Sequence, residues 1–385
     1  MKAEQKLLID VLAMAVAGNP YELPESVDWR QFIGLCKMHA VEPLTYDGLK
    51  KASYWECVPV PGQKILTQAY QSAIFRDAQF THLKNTLTQK LTEGKVPHIL
   101  LKGICLKESY PEPALRTMCD MDVLVYTKDY PAIDGIAKEM NAQSGHSDGN
   151  HRNYTFPGGI TVEFHPNLLH HGTPVGTGIN PGWQYAQKEG NNLTPEGFYL
   201  NTICHLANHF VSGGVGVRFV ADVWVNRHLR KPEMDRKVVE AELLRFDLLD
   251  FAQNIEALAE LCFGQGEETP LLAALGEYIL TAGQYGRADR AILNSVALAP
   301  KQSKASALLK KVFYSREELE DRFPWCKGKA FLLPAAWCVR CFRALTRRGG
   351  LVLKWSKATS RVSGEEVAHQ KNLMESFGIR PEKSE

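Results

Sequence analysis

A chain of 385 residues can hold two or three domains and bury a sizeable core. Its 45 Lys+Arg against 43 Asp+Glu leave a net charge of +2, which excludes a global field of the kind that holds a nucleic-acid backbone or an anionic membrane. Nine cysteines, an odd number with no repeating frame, read as reduced thiols of a cytoplasmic protein rather than a disulfide framework.

In chain order, residues 1–94 read as an N-terminal helical region. The opening "MKAEQKLLIDVLAMAVAG" resembles a secretory signal in outline, but Asp10 interrupts the apolar stretch. Leu7, Leu8, Val11, Leu12 and Ala15 instead fall at the spacing of an amphipathic helix. A long periodic stretch then runs to Gly94. Residues 95–175 change texture to an α+β core, with strands in "VPHILLKG", "DMDVLVY", "HRNYTF" and "ITVEFHP" and one helix in "YPAIDGIAKEMNAQ". Gly158-Gly159 marks a hairpin between the last two strands. Residues 176–385 read as a C-terminal helical domain that opens at Thr194-Pro195-Glu196, an N-cap followed by proline at the first helical position. The charged tail beyond residue 362 is expected to fray. No apolar run reaches the roughly 18 residues of a membrane span.

The chemistry concentrates in "RTMCDMDVLVY", residues 116–126. Strand residues two apart share a face, so Asp120 and Asp122 project together while Met121 and Val123 face the other way. Two carboxylates held that close repel each other. A divalent cation relieves the repulsion, and hard oxygen ligands suit Mg²⁺ or Mn²⁺. The plainer alternative is a pair of solvated carboxylates at a strand end. Glu163 argues for the cation, because it lies inside the strand "ITVEFHP" on the same face as Thr161 and His165, where a charge needs a partner. Upstream, "HILLKG" ends a strand at Gly103, where the backbone can approach a phosphate before a following helix, with Lys102 beside it. Arg116 precedes the carboxylates and suits a phosphate or a carboxylate.

The run "LLKGICLKESYPEPALRTMCDMDVLV" resembles the first half of the nucleotidyltransferase fold of the DNA polymerase β-like superfamily, in particular an uncharacterised bacterial nucleotidyltransferase-like family. The resemblance implies a mixed-sheet core flanked by helical regions. It implies that Gly103 lies in the triphosphate-holding turn and that Asp120, Asp122 and Glu163 bind two metals; beside them Lys102 or Arg116 can balance phosphate charge, and His165 can hydrogen-bond a phosphate or orient the Glu163 carboxylate. The reaction so implied is transfer of an NMP from an NTP to a hydroxyl of a small molecule, sugar or protein. The alternative is an inactive member serving as a nucleotide- or protein-binding module. Here the usual Gly-Gly or Gly-Ser is Lys102-Gly103-Ile104, which lacks a hydroxyl for the terminal phosphates.

A second constellation follows on helices. His205 and His209 are four apart, as are Arg218 and Asp222. The histidines lack the glutamate of a zinc-protease motif and read as packing residues before they read as ligands. Arg218 with Asp222 reads most simply as an intrahelical ion pair. The resemblance turns this helix pair toward the cleft, with His209, Arg218 and Asp222 contacting substrate. Cys338 and Cys341 read as buried thiols. The basic stretch from Arg340 to Lys357 reads as a solvated helix face, with RNA or a phosphorylated partner as the alternative.

Overall fold

The computed structural model describes residues 1–145, 151–169, 175–230, 234–299, 316, 319–320, 323–340, 342 and 362–380. Cys341 and the basic stretch beyond Phe342 lie outside the described residues, while Cys338 is exposed rather than buried.

The first helix, α1 (Ala3–Ala17), buries the five residues picked out by helical spacing and stops at Gly18, whose φ of 75° supplies the left-handed cap. Helices α2 (Trp29–His39) and α3 (Glu42–Lys51) follow, and Asp28 caps α2 by accepting from the Gln31 amide. Helix α4 (Val60–Glu93) runs about 51 Å at 1.5 Å per residue and ends at Gly94. Its later turns present Phe80, Leu83, Leu87 and Leu91, three or four residues apart, to the sheet.

The sheet contains β1 (His98–Leu100), β2 (Asp120–Val125), β3 (Gln143–Ser144), β4 (Arg152–Phe156) and β5 (Ile160–His165), in the order β1-β2-β5-β4-β3. Only β2 and β5 run parallel among these neighbours, and the link between them carries α6 (Tyr130–Glu139). The β4–β5 hairpin turns at Pro157-Gly158-Gly159, with φ of 83° at Gly158 and a hydrogen bond from the Gly159 amide back to the Phe156 carbonyl at 3.0 Å. Alternation divides the strands cleanly. Met121, Val123, Val125, Val162 and Phe164 pack with α4 and α6, which leaves Asp120, Asp122, Thr161, Glu163 and His165 on the other face. The fold is therefore the expected α+β arrangement of a mixed sheet flanked by helices.

Two local expectations are corrected. The helix after Gly103 is a single turn, α5 (Gly103–Leu106), continued by a 3-10 turn, so it offers no extended helix dipole. The tail does not fray at residue 362: Ser363 and Glu366 form a reciprocal capping box for a terminal helix (Gly364–Ser376), and Met374 within it and Phe377 and Ile379 after it are buried.

The described helices between include α7 (Pro195–Val211), α8 (Val217–His228), α9 (Arg236–Arg245), α10 (Leu249–Phe263), α11 (Pro270–Leu280) and α12 (Ala288–Ala297), and the terminal helix is labelled α13. Thr194 caps α7 as its sequence predicts, accepting from the Gly197 amide at 3.1 Å. The larger core joins both ends of the chain, with Leu8 and Phe32 in the same cluster as Phe210, Phe251 and Phe377. Among the described residues no helix is long and apolar enough to cross a membrane.

Candidate active site and metal cluster

The parallel register of β2 and β5 sets Asp120 beside Thr161, Asp122 beside Glu163 and Leu124 beside His165. Strand periodicity alone thus gathers three of the predicted residues. One ligand atom from each of Asp122, Glu163 and His165 lies within 4.8 Å of the others. His165 Nε2 is 2.9 Å from Asp122 Oδ1 and 3.4 Å from Glu163 Oε2. Asp120 stands two residues before Asp122 on the same face of β2. Two carboxylates and an imidazole form a donor set that suits a divalent cation.

Charges from the chain already act on this set. Lys102 Nζ lies 3.0 Å from Asp122 Oδ1. Burial works against the Asp122 carboxylate, but Lys102 and His165 overcome it and hold its pKa well below the ordinary value. The neighbours move the other way. Asp120 is raised by burial and by the Asp122 charge, and Glu163 by burial together with both aspartates, against the opposing pull of His165.

Lys102 reaches Asp122 from an unusual backbone. Its φ of 51° and ψ of −124° belong to a conformation that glycine favours, at a cost of about 1–3 kcal/mol for other residues. The Leu101 amide donates to the Asp122 carbonyl at 3.0 Å and ties the turn to β2. Gly103 follows, and a Cβ there would run into Arg116 Nη1. The glycine in this turn therefore makes room for a guanidinium.

That guanidinium is engaged elsewhere. Arg116 donates to Asp222 through Nε at 3.1 Å and Nη2 at 2.7 Å, and the Tyr110 hydroxyl donates to the same carboxylate at 2.7 Å. Burial opposes the Arg116 charge, but Asp222 more than compensates and raises its pKa. The predicted intrahelical pair of Arg218 with Asp222 is thus replaced. Asp222 serves Arg116, and Arg218 Nη1 donates instead to the Thr117 carbonyl at 2.7 Å and to its hydroxyl oxygen at 3.1 Å. A bidentate arginine on a buried carboxylate outcompetes the i,i+4 neighbour.

A cavity of about 310 Å³ brings the two constellations together, since Lys102, Gly103, Arg116, Asp120 and Asp122 line it with His205, His209, Arg218 and Asp222. Glu163 and His165 do not line it. The His205 and His209 rings meet edge to face at 4.3 Å and both pack near Phe219. His205 is held neutral, well below its ordinary pKa, by burial, Lys102 and His209. The reading of the residues missed Tyr110, Thr117, Gln284 and Tyr285, of which Thr117 holds Arg218 and Gln284 and Tyr285 line the cavity. Tyr110 carried a signal, since it opens the "YPEPALR" segment that leads to Arg116. Gln284 and Tyr285 had only their position between the positive-φ glycines Gly283 and Gly286.

The family model described as "Uncharacterised nucleotidyltransferase" matches residues 25–264, which covers α2 to α10, the whole sheet and every cavity residue except Gln284 and Tyr285. No curated protein and no solved structure matches the chain.

Proposed function

We propose that this chain, which belongs to the family of uncharacterised nucleotidyltransferases, transfers a nucleoside monophosphate from an NTP to a hydroxyl acceptor in the cleft before Asp120 and Asp122. The observation that carries the reading is the convergence of Asp122, Glu163 and His165 beside Asp120, on the one sheet face that is not packed with α4 and α6. Asp120, Asp122 and Glu163 would hold Mg²⁺ or Mn²⁺, with His165 completing the donor set. A bound divalent ion supplies neutralisation of phosphate oxygens and a lowered pKa for the attacking hydroxyl.

The chain's own groups do the remaining work. Lys102 moves its ammonium from Asp122 to the phosphates, while Gly103 keeps the turn close to them. Arg116, fixed by Asp222 and seated on Gly103, holds that turn in register with β2. His209, exposed at the cavity wall, meets the substrate. The acceptor hydroxyl gives up its proton to water as its oxygen bonds to the α-phosphorus and pyrophosphate leaves, in keeping with in-line displacement.

The test is incubation with each NTP labelled at the α-phosphate, Mg²⁺ or Mn²⁺, and cell lysate. Label should move to a protein, RNA or metabolite with the wild type and not with Asp120→Asn or Asp122→Asn. No transfer from any NTP would favour a second reading, a nucleotide- or protein-binding module. One observation supports that second reading: Lys102 already sits on Asp122 as an internal cation.

A further inference from the structure

We propose that the α8 wall of the cleft contains an oxyanion subsite built from Arg218 and Gln284, which takes a phosphate or carboxylate group of a substrate. It rests on the nucleotidyl-transfer reading only for which substrate brings the anion, and it can be tested without turnover.

The placement of Arg218 is unfavourable unless an anion joins it. The residue is 9 % exposed, and Asp222, the carboxylate one turn along its own helix, is taken by Arg116 and Tyr110. Arg116, Arg218 and Asp222 together therefore carry a buried excess of one positive charge. Nη1 of Arg218 is held by Thr117, which is neutral, and Nε is buried with no partner among the described residues. Burial and the neighbouring Arg116 both weaken the charged form of Arg218. Its position adds to this, because Gly216 is the N-cap of α8 and Arg218 sits in the first turn, where the helix dipole repels a cation and attracts an anion.

Gln284 is an independent second observation. It is also 9 % exposed and lines the same cavity, and its Oε1 is buried against Gly216 with no donor among the described residues. Its backbone is fixed, since the Gln284 amide donates to the Met38 carbonyl at 2.8 Å. A planar guanidinium in the first turn of α8 and an amide against its N-cap glycine match an oxyanion that carries or adjoins a hydroxyl or N–H donor. Arg218 and Gln284 line one cavity, and each carries a buried polar atom with no partner among the described residues, which is costly in a protein that offers that pair no ligand. The chemistry suits either the terminal phosphates of the NTP or an anionic acceptor. It assigns anion recognition to Arg218 rather than Arg116, whose carboxylate is already in place.

The experiment is calorimetric titration of the full-length chain with inorganic phosphate and inorganic pyrophosphate, without divalent metal. Wild type should bind, and Arg218→Met and Gln284→Glu should each weaken binding at least ten-fold, whereas Asp120→Asn should not weaken it. If Arg218→Met fails to fold, Gln284→Glu decides, because it keeps the side chain's size and adds a repelling charge. Pyrophosphate displaced by saturating NTP supports the subsite and identifies the anion as the nucleotide's own. Undiminished binding beside NTP supports it and assigns the anion to the acceptor. Absence of binding by the wild type, equal binding by both variants, or loss only with Lys102→Met would overturn the subsite. Loss of label transfer in Asp120→Asn with phosphate binding intact bears on the chemistry alone, so the two readings fail separately.

Discussion

Replacing Asp222 with asparagine removes one charge and almost no volume from a carboxylate that is 3 % exposed. The carboxylate accepts two bonds from Arg116 and one from Tyr110, and it is the anion nearest to Arg218 in sequence on α8. An amide keeps one oxygen acceptor but turns a donor toward the guanidinium. Two buried arginines are then left without a countercharge. Breaking a buried pair from one side costs about 3–5 kcal/mol, a large share of the roughly 5–15 kcal/mol that holds a typical native state. Urea denaturation followed by far-UV circular dichroism should report a loss of that size at unchanged slope. The double change Arg116→Met with Asp222→Leu removes both charges, so it should cost less than the sum of the single changes, with a coupling of up to about 3 kcal/mol. An Asp222→Asn protein that loses less than about 1 kcal/mol would refute the claim that this carboxylate carries Arg116.

Other outcomes follow from the same geometry. His39 is fully buried, accepts from the Val217 amide and donates to the Leu280 carbonyl, and burial lowers its pKa from 6.5 to about 4. The folded state thus binds fewer protons than the unfolded one, so stability is complete above pH 6.5 and falls by about 3 kcal/mol as pH drops from 6.5 through 4. Melting temperatures across that window should flatten in His39→Gln. Asp120→Asn should leave the metal-free protein as stable as before or more so, since it removes a repelling charge, whereas Asp122→Asn should cost about 1.5–3 kcal/mol through lost bonds to Lys102 and His165. Thermal melts of the two variants in chelator settle the order. Gly103→Ala should displace Arg116 from a position that Asp222 fixes, costing about 1–3 kcal/mol by urea denaturation, and an unchanged midpoint would show that the turn yields freely.

The residues that sequence made legible are those whose neighbours follow from local periodicity. Alternation along β2 and β5 is enough to put Asp120, Asp122, Glu163 and His165 on one face, and the Pro157-Gly158-Gly159 turn fixes β4 against β5. The helix N-cap at Thr194 was legible for the same reason. Contacts between distant segments were not. Arg116 and Asp222 lie 106 positions apart, and nothing near either names the other. The i,i+4 spacing of Arg218 and Asp222 suggested a pair because a sequence displays neighbours on a helix and hides a better competitor from another element. Gln284 lines the cavity with its backbone tied to Met38 on α2, a contact between segments far apart in sequence. At α13, the Ser363–Glu366 capping box was present in the sequence but obscured by the charged composition around it.

The shared core of the two chain ends has a consequence during synthesis. Helix α1 packs against α3 and α10, but α10 begins at Leu249. At about 5–20 residues per second, a ribosome finishes α10 roughly 12–50 s after α1. For that interval α1 has α2 and α3 but not α10 to pack against, and the sheet emerges before the helical wall of the cleft. A nascent chain arrested before residue 249 should therefore present a sticky amino-terminal hairpin of helices to a chaperone, and release past Ile379, whose side chain joins the same core, should withdraw it.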